Sequence, residues 1–340
     1  MKLETNVDLT LYNGLSLSAK ARYFALVDSI ESLFEAVELS KSKKTPVHIL
    51  GGGTNTIWGS KRIEKFVLKM ELSGFEILSE TRDFVTVKIS AGENWDQCVK
   101  KSVEMGFSGI EALSAIPGTA GATPVQNIGA YGKEISQALI SLSALDIETM
   151  RERVLKNSDC KFRYRDSIFK TTQGKRFIIT SITVRLSKLP PPIPNYHIVQ
   201  DFFLQRKNKN PTLSEIREAV VAIRASRLPD PSIVPNCGSF FKNPIIDRDL
   251  ATNLCKRFPT MPRYPDKSGI KIPAGWLIEK AGLRGKTIGR FSTYPKNALV
   301  LTSPTKKAVI KDLEYAKNVI ISQVKEKFGV ELEIEPEIVK

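Results

Sequence analysis

Between Ser29 and Leu39 the apolar residues fall at Ile30, Leu33, Phe34 and Val37, the spacing of one helical face, and the run Val47-His48-Ile49-Leu50 that follows reads as a buried strand. A helix feeding a strand indicates a small α/β layer. Past Gly53 the period shortens: Phe66 to Leu68, Phe84 to Ile89 and Phe177 to Leu186 are β-rich runs divided by turn residues, and Trp95 to Met105, ended by Gly106, is a helical stretch between two of them. Leu189-Pro190-Pro191-Pro192-Ile193-Pro194 can continue neither a sheet nor a helix, because proline lacks the N–H both need. A polar connector is therefore expected to about Pro211, with a domain boundary nearby. Thr212 to Arg227 reads as a helix, with Thr212 as N-cap and Glu215 three residues on, stopping before Pro229-Asp230-Pro231. A compact α/β region is expected from about Ser232 to Ser303. Lys306 to Phe328 then presents Val309, Leu313, Ala316, Ile320, Val324 and Phe328 on one helical face before Gly329, and Val330 to Glu337 alternates like a strand.

Composition narrows the class. With 340 residues, 41% of them hydrophobic and 26% charged, the chain holds enough apolar material for two or three domains, and no apolar run approaches the ~20 residues of a membrane helix. The start, Met1 to Asp8, carries acids where a secretory signal needs a basic and then an apolar segment, so a cytoplasmic protein is expected, with no membrane partner. Cys98, Cys160, Cys237 and Cys255 form no C-x-x-C pair and read as reduced thiols. With two histidines, His48 and His197, a histidine-rich metal centre is excluded and no metal is expected. The net charge of +15 is dispersed. Its densest runs, Lys41 to Lys44 and Arg206 to Lys209, lack the interleaved aromatics of a base-stacking platform, which favours a solvated surface over a nucleic-acid partner. A site for a multiply anionic small molecule is the second reading of that charge.

Four segments carry candidate chemistry. Gly51-Gly52-Gly53-Thr54-Asn55 directly follows a buried strand, and glycines there let backbone N–H groups approach an anion unobstructed; an ordinary tight turn is the alternative. It is not a Rossmann fingerprint, since Thr56 stands at the third glycine position. Ile116 to Gly132 is seventeen residues of small side chains and turn formers, an unusually long loop unless something such as a cofactor lies on its exposed backbone. Gly282-Leu283-Arg284-Gly285-Lys286-Thr287 mimics the end of a phosphate-binding P-loop but has Lys280 in place of the leading glycine. Arg163 to Phe169 and Asn236 to Pro244 set polar groups beside bulky aromatics, as a site for developing negative charge requires.

Six of these motifs, in order, resemble one family. Gly-Gly-Gly-Thr-Asn at 51–55, Pro-Gly-Thr-Ala-Gly-Ala-Thr-Pro-Val-Gln-Asn-Ile-Gly-Ala-Tyr-Gly at 117–132, Tyr-Arg-Asp-Ser-Ile-Phe at 164–169, Gly-Ser-Phe-Phe-Lys-Asn-Pro at 238–244, Ala-Gly-Trp-Leu-Ile-Glu at 274–279 and Glu-Pro-Glu at 335–337 are similar to the bacterial UDP-N-acetylenolpyruvoylglucosamine reductases. Tyr196, after the proline run, looks like the subtype with a tyrosine loop over the substrate. The resemblance implies an α+β fold: a two-part FAD-binding module of the PCMH/vanillyl-alcohol-oxidase type plus a smaller α/β substrate-binding domain. The parts would be 1–69 (joined by a C-terminal strand at about 329–340), 70–228 with the tyrosine loop near 189–211, and 229–328. It further implies a cytoplasmic monomer holding FAD non-covalently, with NADPH as co-substrate and a UDP-linked amino sugar as substrate, making UDP-N-acetylmuramate for peptidoglycan and hence for cell shape and division.

By the same resemblance Gly51, Gly52, Gly53, Thr54, Asn55, Pro117, Gly118, Thr119, Gly121, Ala122, Gln126, Asn127, Gly129 and Ala130 would hold FAD. Tyr196, Arg227, Lys242, Asn243 and Asn297 would hold substrate. Arg165 and Glu337 would stabilise the enolate left by hydride transfer from flavin N5, and Ser239 would protonate it. Such chemistry suits a dry pocket: Phe240 and Phe241 would exclude water from Ser239, and burial should raise the pKa of Glu337 so that it donates a hydrogen bond. From sequence alone a solvated terminal carboxylate is the alternative for Glu337. Departures from the family are Asn13-Gly14-Leu15 for Asn-Thr-Phe, Arg227 where lysine is common, Tyr294-Pro295-Lys296 before Asn297 where a histidine is usual, and the early end after Glu337. Two rivals stay open at this point, a flavin oxidase tethering FAD through His48 and a colourless basic nucleic-acid binder.

Overall fold

The computed structural model describes residues 1–305 and 308–340. The chain divides into two compact units, one formed by Met1–Val7, Ala21–Gly52 and Glu64–Ala225, the other by Asp8–Lys20, Gly53–Ile63 and Ser226–Lys340.

The first unit contains a four-stranded sheet in the order Leu3–Asp8, Lys20–Val27, Arg62–Met70, Val47–Leu50, in which Val47–Leu50 runs parallel to Phe66–Lys69. Helix α1 (Ile30–Ser42) begins at Ser29, whose hydroxyl accepts from the Ser32 N–H at 3.1 Å, and its Leu33, Ala36 and Val37 pack with Phe66, Leu68 and Met70. A five-stranded antiparallel sheet follows, ordered Arg151–Lys156, Leu139–Asp146, Phe177–Ser187, Phe84–Ser90, Phe75–Glu80. Helix α2 (Trp95–Glu104) is capped by Asn94 and buries Trp95, Val99 and Val103 with Val85, Val87, Ile182 and Val184.

The connector expected from 189 to 211 is not wholly irregular. His197–Gln205 forms helix α3, because Val199 and Phe203 lie four residues apart and bury against Ile216, Ala219 and Ile223 of helix α4 (Leu213–Arg227). The prolines end before α3 begins, so they set its start rather than forbid it. α4 opens with the expected reciprocal box, Thr212 N–H to Glu215 Oε2 at 2.7 Å and Glu215 N–H to Thr212 Oγ1 at 3.2 Å.

The second unit has a four-stranded sheet ordered Asn236–Ser239, Asn297–Thr302, Phe291–Tyr294, Thr287–Ile288, a three-stranded sheet of Ile245–Ile246, Gly269–Lys271 and Tyr264–Asp266, and helices α5 (Arg248–Arg257), α6 (Ala274–Lys280) and α7 (Ile310–Phe328). The predicted start of the last helix at Lys306 and Lys307 lies outside the described residues. α7 buries Leu313, Ala316, Ile320, Val324 and Phe328 as the pattern requires, and Gly329, at φ +69°, returns its N–H to the Lys325 carbonyl at 2.8 Å. The alternating run from Val330 does bury Val330 and Leu332 while exposing Glu331 and Glu333, yet it is a strand only at Glu337–Val339, beyond Pro336. Upstream, a single bridge joins Ile334 to Phe241. Among the described residues no helix is long and apolar enough to cross a membrane.

His48 is buried with Leu50 on the edge strand Val47–Leu50 of the first sheet. Burial, reinforced by the positive charges of Lys65 and Lys175, pushes its pKa down from 6.5 to about 4. Between those values the unfolded chain binds the proton more readily than the folded one. Stability is therefore complete above pH 6.5 and falls as the pH drops towards 4, by about 3 kcal/mol over the window. Urea unfolding of His48→Gln at pH 7 and pH 4 should lose most of this difference; an unchanged pH dependence would assign it elsewhere.

Candidate functional site

Where Val47–Leu50 ends, the chain passes against the long glycine-rich loop, backbone to backbone. A Cβ placed on Gly52 would stand 2.8 Å from the Cα of Gly118, and one on Gly51 would stand 2.6 Å from Thr119 Oγ1. The loop's other groups are spent on the scaffold: Gly118 carbonyl accepts from Trp95 N–H at 3.0 Å, Ala120 N–H donates to Glu93 at 2.8 Å, and Gly121 N–H to Ala91 at 3.0 Å. The N–H groups of Gly51, Gly52, Gly118 and Thr119 have no acceptor among the described residues. Converging donors with no side chains between them fit the pyrophosphate of a dinucleotide, which requires N–H groups rather than bulk.

Both ends of this loop are clamped. At its start Ala115 adopts φ +56°; its N–H donates to Asp96 Oδ1 at 2.6 Å and its carbonyl accepts from Arg224 Nε at 3.2 Å. Asp96 is itself held by a two-pronged bond from Arg217, at 2.7 and 2.9 Å. Burial pushes the Arg224 guanidinium down, opposed by its hydrogen bond to Tyr131 and the charge of Asp96. At the far end Tyr131 and Gly132, both at positive φ, make the two-residue turn joining Gly129–Ala130 to Lys133–Glu134. The Tyr131 ring meets the Tyr196 ring edge-on with centroids 5.6 Å apart, so the candidate substrate tyrosine sits at the end of the candidate cofactor loop.

Asn127 is 1% exposed, and both hydrogens of its amide are used inside the protein, on Glu134 Oε2 at 2.7 Å and the Arg163 carbonyl at 3.1 Å. Its oxygen accepts from Ser136 N–H at 3.2 Å. Asn127 thus ties the loop to the Arg163–Phe169 segment. Ser167 adds a second tie, Oγ to the Val125 carbonyl at 2.6 Å, and Arg165 a third, Nη2 to the Gly129 carbonyl at 2.7 Å. A Cβ on Gly129 would come within 3.0 Å of Arg165 Nη1, so glycine there leaves room for the guanidinium against the main chain.

In the second unit the Gly53–Asn55 turn anchors the C-terminal strand. Glu337 N–H donates to the Asn55 carbonyl at 2.9 Å, Glu337–Val339 pairs in parallel with Thr56–Trp58, and Gly59 N–H donates to the Val339 carbonyl at 2.7 Å. These bonds fix the backbone of Glu337 against the turn. The Glu337 side chain is exposed rather than buried; Val339, two residues on, is the buried residue of this short strand. Ser239 follows Gly238, at φ +68° with its N–H on Asn236 Oδ1 at 2.8 Å, and pairs with Val300. The Ser239 hydroxyl is half-exposed and has no protein partner among the described residues. Phe240 and Phe241 are buried in the core of this unit, ring to ring at 5.0 Å, where they brace the strand. Cys237 is inert, its thiol pushed up to about 12 by burial.

The candidate diphosphate ligands of this unit differ in availability. Arg227, at the end of α4, is exposed. Lys242 is paired with Glu333 at 2.6 Å, the oxygen of Asn243 accepts from Ala274 N–H at 2.9 Å, and that of Asn297 accepts from Leu299 N–H at 3.2 Å. Asp96, Arg217, Arg224 and Lys170 were not singled out by sequence: the Arg217–Asp96 ion pair spans 121 residues and the Arg224 bond to the Ala115 carbonyl 109, which leave no local pattern, and the Lys170 bond to the Arg165 carbonyl depends on the turn between them.

Residues 21–149 match the FAD binding domain family, and residues 230–339 match the UDP-N-acetylenolpyruvoylglucosamine reductase C-terminal domain. The chain is 39% identical to the UDP-N-acetylenolpyruvoylglucosamine reductase of Flavobacterium johnsoniae over 100% of both chains, and 40% identical to that of Dechloromonas aromatica over 99% of both. The crystal structure of the Thermus caldophilus enzyme of that name shares the fold, with a TM-score of 0.68 at 19% identity, covering 100% of this chain and 98% of that one. A sheet ending in bare backbone donors, within a matched FAD-binding domain, defines a flavin oxidoreductase. Identity along the whole length is more specific: the chain belongs to the UDP-N-acetylenolpyruvoylglucosamine reductase family.

Because Gly52 touches the backbone of Gly118, any side chain must part the two loops. Gly52→Val should therefore retain its fold but leave gel filtration with flavin content, read as visible absorbance per protein, reduced at least about tenfold. Undiminished flavin would place the cofactor elsewhere.

Proposed function

We propose that the chain reduces the enolpyruvyl ether of UDP-N-acetylenolpyruvoylglucosamine, with NADPH as reductant and FAD as carrier, to give UDP-N-acetylmuramate for peptidoglycan in the cytoplasm. The names of the full-length relatives support the substrate, and the observation that carries the chemistry is the Ser239 hydroxyl, set on a short strand behind a positive-φ glycine and without a protein partner among the described residues. In this reading residues 1–69 and 70–228 serve FAD and 229–328 the substrate.

Bound FAD supplies the hydride. Addition to the terminal alkene carbon puts negative charge on the adjoining carbon, delocalised into its carboxylate, and this charge is what the protein must manage. Arg165, its plane fixed by Gly129, faces the charge as a cation that cannot lose its proton. Ser239 transfers its hydroxyl proton to the carbanion, a step within reach of so weak an acid only against a strong base in a dry site. Glu337 is the second group at the developing charge, and bound molecules have to supply the cover that the protein alone does not give it. Tyr196, Arg227 and Asn243 hold the diphosphate, with Lys242, already committed to Glu333, and Asn297 as lesser contributors. NADPH docks transiently where substrate later binds, which accords with ping-pong kinetics.

In stopped-flow absorbance, Ser239→Ala should leave flavin reduction by NADPH near its normal rate and slow reoxidation by the enolpyruvyl substrate at least ~10²-fold, with flavin content unchanged. The reverse pattern would make Ser239 a nicotinamide-positioning residue and sink the mechanism. Arg227→Ala should raise the substrate KM about tenfold without loss of flavin; a KM within about twofold of wild type would remove Arg227 from the diphosphate site.

A further inference from the structure

Arg165 sits at φ +52°, a left-handed conformation that brings Cβ of a side-chain-bearing residue too close to the following carbonyl oxygen and is therefore strained. It is the third residue of a turn closed by Arg163 N–H to the Asp166 carbonyl at 3.0 Å and Asp166 N–H to the Arg163 carbonyl at 3.2 Å. Tyr164 before it is not at positive φ, so this is the turn geometry in which glycine is the favoured third residue. An arginine held where glycine would be unstrained marks a side chain whose direction is worth more than the strain, and such a conformation persists only where its surroundings over-determine it.

Two side chains from outside the turn do so. Asn127 donates to the Arg163 carbonyl, and the Lys170 ammonium reaches back five residues to the Arg165 carbonyl at 2.9 Å. The second bond is charge-assisted and acts on the strained residue itself. Lys170 closes a short 3₁₀ turn, Ile168–Lys170, whose Phe169 is buried and whose preceding Ser167 is bonded to Val125, so its own backbone is fixed.

We propose that Lys170 is a positioning residue for Arg165: by holding the Arg165 carbonyl it keeps the left-handed turn closed and the guanidinium aimed along the Gly129 main chain. This rests on the role of Arg165 in the reaction proposed above. Asn127 supports the other end of the turn, but it also braces the 117–132 loop, so its replacement would not isolate the effect.

Lys170→Met keeps the length of the side chain and removes the donor. In hydrogen–deuterium exchange of the flavin-free and flavin-loaded protein, the Arg163 and Asp166 amides should exchange at least about tenfold faster in Lys170→Met, with the rest of the chain unaffected. Reoxidation of the reduced flavin by substrate should slow about tenfold while its reduction by NADPH is unchanged, and Lys170→Arg should restore both measurements to within about twofold. In an Arg165→Ala background Lys170→Met should add less than about twofold, because the residue it positions is gone. Unchanged exchange at Arg163 and Asp166, or rate losses that multiply in the double variant, would overturn the proposal and make Lys170 an independent contact. If Arg165→Ala leaves reoxidation intact, the assignment of Arg165 to the reaction fails, and the exchange measurement still decides whether Lys170 holds the turn.

Discussion

The contact on which the first unit depends is that of two main chains with nothing between them. Gly52 and Gly118 approach until a single methyl group would not fit, and this closeness, rather than any side chain, gathers unpaired N–H donors at one spot. An unpaired backbone donor shut away from water costs about as much as a lost hydrogen bond. Here Gly52 is exposed and Gly51 and Gly118 are only half-buried, so these donors are open to water or to an anion that replaces it. Everything else in the 115–132 segment serves to keep that backbone still. The Ala120 and Gly121 N–H groups donate to the Glu93 and Ala91 carbonyls, the Gly118 carbonyl accepts from Trp95, and the ends are pinned by Asp96, Arg224 and the Tyr131–Gly132 turn.

Part of the backbone strain lies in and beside the same loop. Ala115, Asn127, Tyr131 and Arg165 are all non-glycine residues at positive φ, each costing of order 1–3 kcal/mol, and each is fixed by side-chain bonds or a tight turn. A loop made only of glycines would avoid the strain but lose more entropy on ordering. Mixing strained residues with a few glycines at the contact points yields a segment that is specified before anything binds. Charge follows the same economy: the fork from Arg217 holds Asp96 below the usual carboxylate range although burial alone would raise it, so a half-buried acid can anchor a backbone amide.

The order of elements was legible from the sequence, because periodicity records burial directly. The apolar face of α7, the reciprocal box at Thr212 and the strand at Val47–Leu50 all reappear in the structure, as does the glycine-rich character of the two loops. The family was legible too, since six short motifs kept their order. By contrast α3 was hidden behind prolines, and the alternation at 330–337 described burial without a ladder, because strand pairing depends on which partner lies alongside.

What the sequence determined, then, was composition at each point of the chain: where only small residues stand, where apolar faces repeat, where a serine follows a glycine. What tertiary structure decided was which of those groups are already spent. Asn127, Lys242 and Asn243 look alike as polar candidates in sequence, yet their bonds to Glu134, Glu333 and Ala274 engage them within the protein, while the Ser239 hydroxyl has no such bond among the described residues. The reason is physical: a hydrogen bond is made between atoms about 3 Å apart, and which atoms come that close across the 31 residues from Asn243 to Ala274 or the 91 from Lys242 to Glu333 depends on how the elements pack.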